Sequence, residues 1–244
     1  ADGQLLIRDE NLALWRRLAM ATPAGAEVLR LIASGDEGFY DQETYQARAH
    51  VLGGMGAQLA TLAADATRYV ETGERSSELS AWLAEHLAFL AAGDTEMLGY
   101  SVLFPEQLAF SLASARYSRD VLGYAGKCLL GGATVAGAVD AEHLLRGCPY
   151  VDAVVYQEGE PIVSALLGGV AWAALPGVWL RADGVIRKNP TAMPPLILPR
   201  PSFSQLPIDE YLNPMPVLPA SGSRGCAWHR CRFCAHNRSF GRFR

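Results

Sequence analysis

Three cysteines, Cys226, Cys231 and Cys234, fall within nine residues near the end of the sequence. A thiolate is a soft, strongly donating ligand. Three of them on one short loop can bind three irons of a four-iron cluster and leave the fourth iron open to another molecule. A fourth thiolate would close such a site, and no fourth cysteine stands nearby. The same donors suit zinc, with His229 or His236 as the fourth ligand. Five cysteines in all is an odd number, and three packed this closely make a poor disulfide framework, so reduced thiols are expected. Cys128, in an apolar run, and Cys148, beside Pro149, read as packing residues rather than reactive thiols.

The charge around the cysteines is one-sided. The whole chain carries a formal −4, yet residues 222–244 hold six arginines (Arg224, Arg230, Arg232, Arg238, Arg242 and Arg244) and no acid. A basic tail of this kind can serve nucleic acid, but arginines interleaved with cysteines suit an anionic cluster and an anionic ligand, and nucleic acid is not the expected partner. Trp228 and His229, inside the loop, are expected to shield a bound group from water. Half the residues are hydrophobic, enough for a sizeable core, and no apolar run reaches the roughly 20 residues of a membrane span. The sequence opens Ala1-Asp2-Gly3 with no basic-then-apolar leader in it, so a cytoplasmic location is expected.

The elements that must position this loop come earlier in the chain. Residues 1–95 read as helices: Asp9 caps Glu10–Ala21, Pro23 opens a second helix ending near Gly35, and Asp41 opens a third that Gly53, Gly54 and Gly56 interrupt. Ser77 caps a periodic helix with Leu79, Trp82, Leu83, His86, Leu87 and Leu90 on one face and Gly93 as its stop. From Met97 short apolar runs alternate with helices: strands over 97–104, 127–130 and 153–156, helices over 106–122, 141–146 (Asp140 as N-cap) and 161–167. Such alternation implies βαβ units and a parallel sheet. Asp183-Gly184 predicts a hairpin between 177–181 and 185–188, a small antiparallel annex. Residues 189–219 hold nine prolines and form an extended connector, after which 217–221 can make one more strand.

Two groups of residues carry a family resemblance. Ser-Arg-Gly precedes Cys226, and Phe233 sits between the last two cysteines, so the loop resembles that of the radical SAM superfamily; four residues separate Cys226 from Cys231, a longer first spacing found in some cobalamin-linked subfamilies that modify peptides. Upstream, Ser101-Val102-Leu103 is followed after 27 residues by Gly131-Gly132, then Ala133, a strand at 151–155, and Glu158-Gly159-Glu160. This order resembles the N-terminal cobalamin-binding domains of radical SAM proteins, with Gln157 in place of a glycine. The window that would hold an axial histidine, Gly54 to Leu59, contains none. His50 has Arg48 where a supporting Asp would stand, so no protein histidine is expected on the cobalt.

The resemblance, which covers about residues 97–244, implies an α/β protein. It would have a helical N-terminal region (1–95), a Rossmann-like parallel-sheet cobalamin-binding domain (96–188), the Pro-rich connector (189–216), and the start of a radical SAM (β/α) barrel (217–244). It implies a [4Fe-4S] cluster on Cys226, Cys231 and Cys234, S-adenosyl-L-methionine on its open iron, and cobalamin near Ser101, Leu103, Gly131, Gly132, Ala133, Glu158, Gly159 and Glu160. The implied activity is methyl transfer to an unactivated carbon of a small-molecule or peptide substrate through a 5′-deoxyadenosyl radical and methylcobalamin, with an external electron donor. A complete barrel takes about 250 residues, so the chain is expected to be a fragment and inactive by itself. The sequence designates no catalytic side chain. Two other readings are open: a non-enzymatic cobalamin-binding or adaptor module with a zinc knuckle, and a redox protein with an ordinary iron-sulfur cluster.

Overall fold

The computed structural model describes residues 16–21, 23–33, 41–190, 200–208, 217–234 and 243. The proposed cap at Asp9, most of the connector and His236 lie outside the described residues. The chain divides into two compact units, residues 1–65 with 199–220, and residues 66–198 with 221–244.

The first unit is helical where described. Residues 16–20 form a helical turn, followed by α1 (Pro23–Ala33) and the first part of α2 (Gln42–Thr72). Leu18, Ala19, Val28, Met55 and Leu62 are buried. The expected break at Gly53, Gly54 and Gly56 does not occur, for α2 runs through all three. A glycine in a helix costs about 1 kcal/mol relative to alanine; thirty-one residues of helix absorb that cost. His50 is exposed on this helix.

The second unit holds the sheet. Helix α3 (Ser77–His86) is capped one residue earlier than its sequence suggests: the Ser76 side chain accepts a hydrogen bond from the Leu79 amide, and a 3₁₀ turn over Ala88–Ala92 carries the chain to Gly93, which is left-handed as expected. Leu79, Trp82, Leu83 and Leu87 are buried, and Trp82 meets Phe110 edge-on with ring centres 5.3 Å apart.

Five strands follow: β1 (Met97–Ser101), β2 (Lys127–Gly131), β3 (Ala153–Val155), β4 (Val178–Ala182) and β5 (Val185–Lys188). They lie side by side in chain order, the first three parallel and the last two antiparallel. The helices between them are α4 (Pro105–Asp120), α5 (Ala133–Ala138), α6 (Ala141–Gly147) and α7 (Gly159–Leu167). This is an α/β fold with Rossmann-like βαβ connections and the antiparallel annex that Asp183-Gly184 announced; both turn residues have positive φ.

Strand alternation sorts the core into two layers. Leu98, Tyr100, Cys128, Leu130 and Val154 pack with α4, α5 and α6 on one face; Leu129, Ala153, Val155, Val178 and Leu180 pack with Ile162 of α7 on the other. Each such fully buried aliphatic side chain contributes about 1.5–3 kcal/mol to folding. β1 ends at Ser101, three residues short of expectation, because Phe104 is the N-cap of α4 and Pro105 begins the helix. The expected strand at 217–221 does not form: the segment is irregular, Val217 and Leu218 are exposed, and Pro219 has no amide hydrogen to give a ladder. Among the described residues no strand of a (β/α) barrel follows the connector, and no helix is long and apolar enough to cross a membrane.

Candidate functional site at the carboxyl edge of the sheet

Parallel strands bring their carboxyl ends to one edge, which is where open α/β sheets bind ligands. Ser101 and Gly131 are register partners there, and β3 adds Val155 alongside Gly131. The loops that leave these strands carry every upstream residue singled out by sequence.

The first two loops interlock. The Val102 amide donates to the Gly131 carbonyl at 2.8 Å, the Thr134 amide donates to the Val102 carbonyl at 3.1 Å, and the Thr134 hydroxyl donates to the Leu103 carbonyl at 2.7 Å. Gln107 of α4 closes the loop from the other side: its Oε1 accepts from the Leu103 and Phe104 amides at 2.6 and 2.9 Å. Gly132 holds φ at 101°, and a Cβ there would stand 2.5 Å from the Val102 nitrogen and closer still to its carbonyl oxygen. The glycine is thus required by the close passage of the neighbouring loop. Gly131 is less constrained, since a Cβ would meet only the Val155 side chain, 3.3 Å from its Cβ. Ala133 begins α5, whose six residues are too few to show a helical period in the sequence. On the rim, Ser101 is exposed, as are the apolar side chains of Leu103 and Phe104.

The third loop follows β3. Glu158 is the N-cap residue of α7 and is buried; Gly159 and Glu160 open the helix. Gln157, which departs from the family pattern, lays its side chain against Gly177, whose φ of 66° leaves no room for a Cβ beside Gln157 Oε1. The local turn is therefore built around the glutamine.

Arg224, two residues before the first cysteine, reaches this same edge. Arg224 donates from Nη2 to Glu160 Oε1 at 2.6 Å, and its Nη1 lies 3.6 Å from Glu158 Oε2. The Glu160 hydrogen bond is the main reason that the guanidinium is held above its ordinary pKa, burial opposing it. In the sequence Arg224 belongs to the basic tail and to the Ser-Arg-Gly before Cys226, with nothing that pairs it to the glutamates. The available signal was the Ser-Arg-Gly placed directly before Cys226 and the two glutamates spaced to face one cation.

Cys226, Cys231 and Cys234 are free of disulfides and half-buried. Gly225 and His229 take left-handed conformations that turn the loop, and the Cys234 amide donates to the Cys231 carbonyl at 3.4 Å. Trp228 and Phe233 are exposed, and the Arg230 guanidinium stacks 5.4 Å from the Trp228 ring centre. Three thiols match the donor chemistry of an iron-sulfur cluster. Among the described residues, however, no three Cys, His, Asp or Glu side chains converge as ligands of one metal ion. The loop carries the donors without the assembled centre.

The opposite edge is structural. Asp152 accepts from the Cys128 amide at 2.8 Å, from Arg119 at 2.7 Å and from Lys127 at 3.2 Å. Cys128 is wholly buried, and burial pushes its thiol up to about 11. Cys148 is buried against Tyr150, whose hydroxyl lies 3.4 Å from the sulfur. Both fill the role expected of packing residues.

The fold is α/β with Rossmann-like connections. Over 111 residues the chain is 35% identical to an uncharacterised methyltransferase of Pyrococcus horikoshii, an alignment that covers 41% of this chain and 24% of that protein. The chain is thus similar, in part, to a methyltransferase, and the match spans about a quarter of that relative's length. No family model matches the chain, and no solved structure does.

Proposed function

We propose that this chain is the cofactor-binding part of a methyltransferase of the cobalamin-dependent radical SAM class. The observation that carries the proposal is the joining of two motif groups at one edge: Arg224, two residues before the first cysteine, is bonded to the glutamates that follow β3. Partial identity to a methyltransferase supports the methyl-transfer half of the reading.

Ser101, Gly131 and the 156–158 loop would form the floor against which a corrinoid lies, with Leu103 and Phe104 as an apolar rim. Cys226, Cys231 and Cys234 are the proposed ligands of a [4Fe-4S] cluster, and their loop would have to draw together to hold it. When bound, the cluster with S-adenosyl-L-methionine supplies hydrogen abstraction from an unactivated carbon, and cobalamin supplies the methyl carrier. The protein's own part is to bind, to orient and to keep water out. The proposed partners are a small-molecule or peptide substrate and an electron donor.

Retention of hydroxocobalamin after desalting tests the cobalamin assignment. The unaltered chain should keep corrinoid stoichiometrically, and Ser101→Trp, which fills the floor from an exposed position, should lose it with unchanged circular dichroism. No retention would remove cobalamin from the account, and equal retention in both would remove it from this edge of the sheet.

A further inference from the structure

We infer that Asn189 is a positioning residue of the carboxyl edge: it fastens the loop after β3, residues 156–158, to the segment that leads into the Pro-rich connector. The inference deepens the proposed function and rests on it only for what lies against that loop. Every contact involved falls within the second unit.

Asn189 follows β5 and precedes Pro190. A residue before proline is pushed toward extended backbone, so the strand direction carries on for one residue, and the Asn189 amide donates to the Val178 carbonyl at 2.9 Å. Proline has no amide hydrogen, and the ladder stops there. The Pro190 carbonyl accepts instead from the Gly177 amide at 2.8 Å. The Asn189 side chain turns to a different segment. Its Nδ2 donates to the carbonyls of Ala173 and Leu175 at 3.0 and 2.7 Å, at the end of a 3₁₀ turn over Trp172–Ala174. The last carbonyls of such a turn need donors from outside it, and a side-chain amide has two hydrogens to give.

The segment held in this way carries Gly177, and Gly177 meets the loop after β3. The Tyr156 amide donates to the Gly177 carbonyl at 3.2 Å, and a Cβ on Gly177 would stand 2.4 Å from Gln157 Oε1. A second route is direct. The Tyr156 hydroxyl donates to the Asn189 carbonyl at 2.7 Å, and the Lys188 ammonium lies 4.8 Å from the Tyr156 ring centre. Asn189 thus spends its amide on β4, its carbonyl on Tyr156 and its side chain on the turn before Gly177. Hydrogen bonds closed into a ring hold a loop more firmly than the same bonds taken singly. The loop that β3 delivers to the ligand edge is therefore set by a residue 33 positions further along the chain.

Amide hydrogen exchange of the full chain, resolved by nuclear magnetic resonance, tests the role without metal or corrinoid. Asn189→Ala should speed exchange of the Tyr156 and Gly177 amides about tenfold, the contribution of one or two ordinary hydrogen bonds. Leu98→Val, a core substitution on the far edge strand, should leave the same two amides within about twofold, because they exchange by local opening. Asn189→Asp puts an oxygen where the amide donates and should protect no better than Asn189→Ala. Tyr156→Phe should act in the same direction more weakly, and it carries the test if Asn189→Ala does not fold. Rates within about twofold of the unaltered chain for Asn189→Ala, or for Tyr156→Phe where only that variant folds, would overturn the role. So would an equal rise in Leu98→Val, or full protection in Asn189→Asp. In an absorbance titration with hydroxocobalamin, Asn189→Ala should bind about threefold more weakly, since a loop that no longer holds one position must be ordered on binding. Equal affinity with a loosened loop would overturn positioning of the floor. Failure of the unaltered chain to bind corrinoid would instead count against the proposed function and leave the exchange result standing.

Discussion

Gly132 lies so close to Val102 that the backbone of one occupies the place where a side chain of the other would begin. The contact joins the loop after β1 to the loop after β2, and it needs both the missing Cβ and a φ of 101°. Gly132→Ala should therefore cost about 3 kcal/mol, from left-handed strain and forced separation of the two loops. Gly131→Ala, whose new methyl meets only the Val155 side chain, 3.3 Å from its Cβ, should cost clearly less. Urea unfolding of the two variants checks the order; a Gly131 variant as damaging as the Gly132 variant would refute this division of roles.

Burial also divides the cysteines. With its thiol pushed up to about 11, Cys128 should resist iodoacetamide at pH 8, while Cys226, Cys231 and Cys234 are modified, as read by mass spectrometry of the folded chain. The same shift has a pH consequence. The unfolded thiol ionises near 9.0 and the folded one near 11, so the unfolded state binds fewer protons in this interval and stability falls as pH rises from 9 to 11. Tyr69, Tyr124, Tyr150 and Tyr156, all raised by burial, add to the loss from pH 10 upward. Cys128→Ala should flatten the first part of that decline in a denaturant series.

Asp152 gathers two cations and a backbone amide at the amino edge of the sheet, with its side chain 18% exposed. Asp152→Ala leaves Arg119 partly buried without its carboxylate and the Cys128 amide without its acceptor. A loss of about 3 kcal/mol is expected, with corrinoid retention unaffected in the protein that remains folded. Loss of retention in the folded fraction would show that the two edges of the sheet are coupled.

Much of the second unit was legible in the sequence because strand alternation, capping residues and turn dipeptides act locally: Asp140 does accept from the His143 amide, and Asp183-Gly184 does turn β4 into β5. The errors have local causes too. Glycines at 53, 54 and 56 weaken a helix without ending it, Pro219 weakens a strand that hydropathy alone would allow, and Ala133–Ala138 is too short to show a period. At Gly132, which the resemblance implies for cofactor binding, the missing side chain also makes room for Val102, a long-range contact that no local pattern shows. Arg224 was hidden for a different reason. Its partners lie 64 and 66 positions earlier, and an ion pair across that distance leaves no periodic trace.

The central claim is that Cys226, Cys231 and Cys234 hold an iron-sulfur cluster, and its most direct test is a metal count after anaerobic reconstitution with iron and sulfide in the presence of zinc. The account predicts iron and sulfide retained through desalting, with a cluster absorption band, and their loss in each of Cys226→Ser, Cys231→Ser and Cys234→Ser. Stoichiometric zinc with no iron, or iron that stays when the cysteines are replaced, would contradict it.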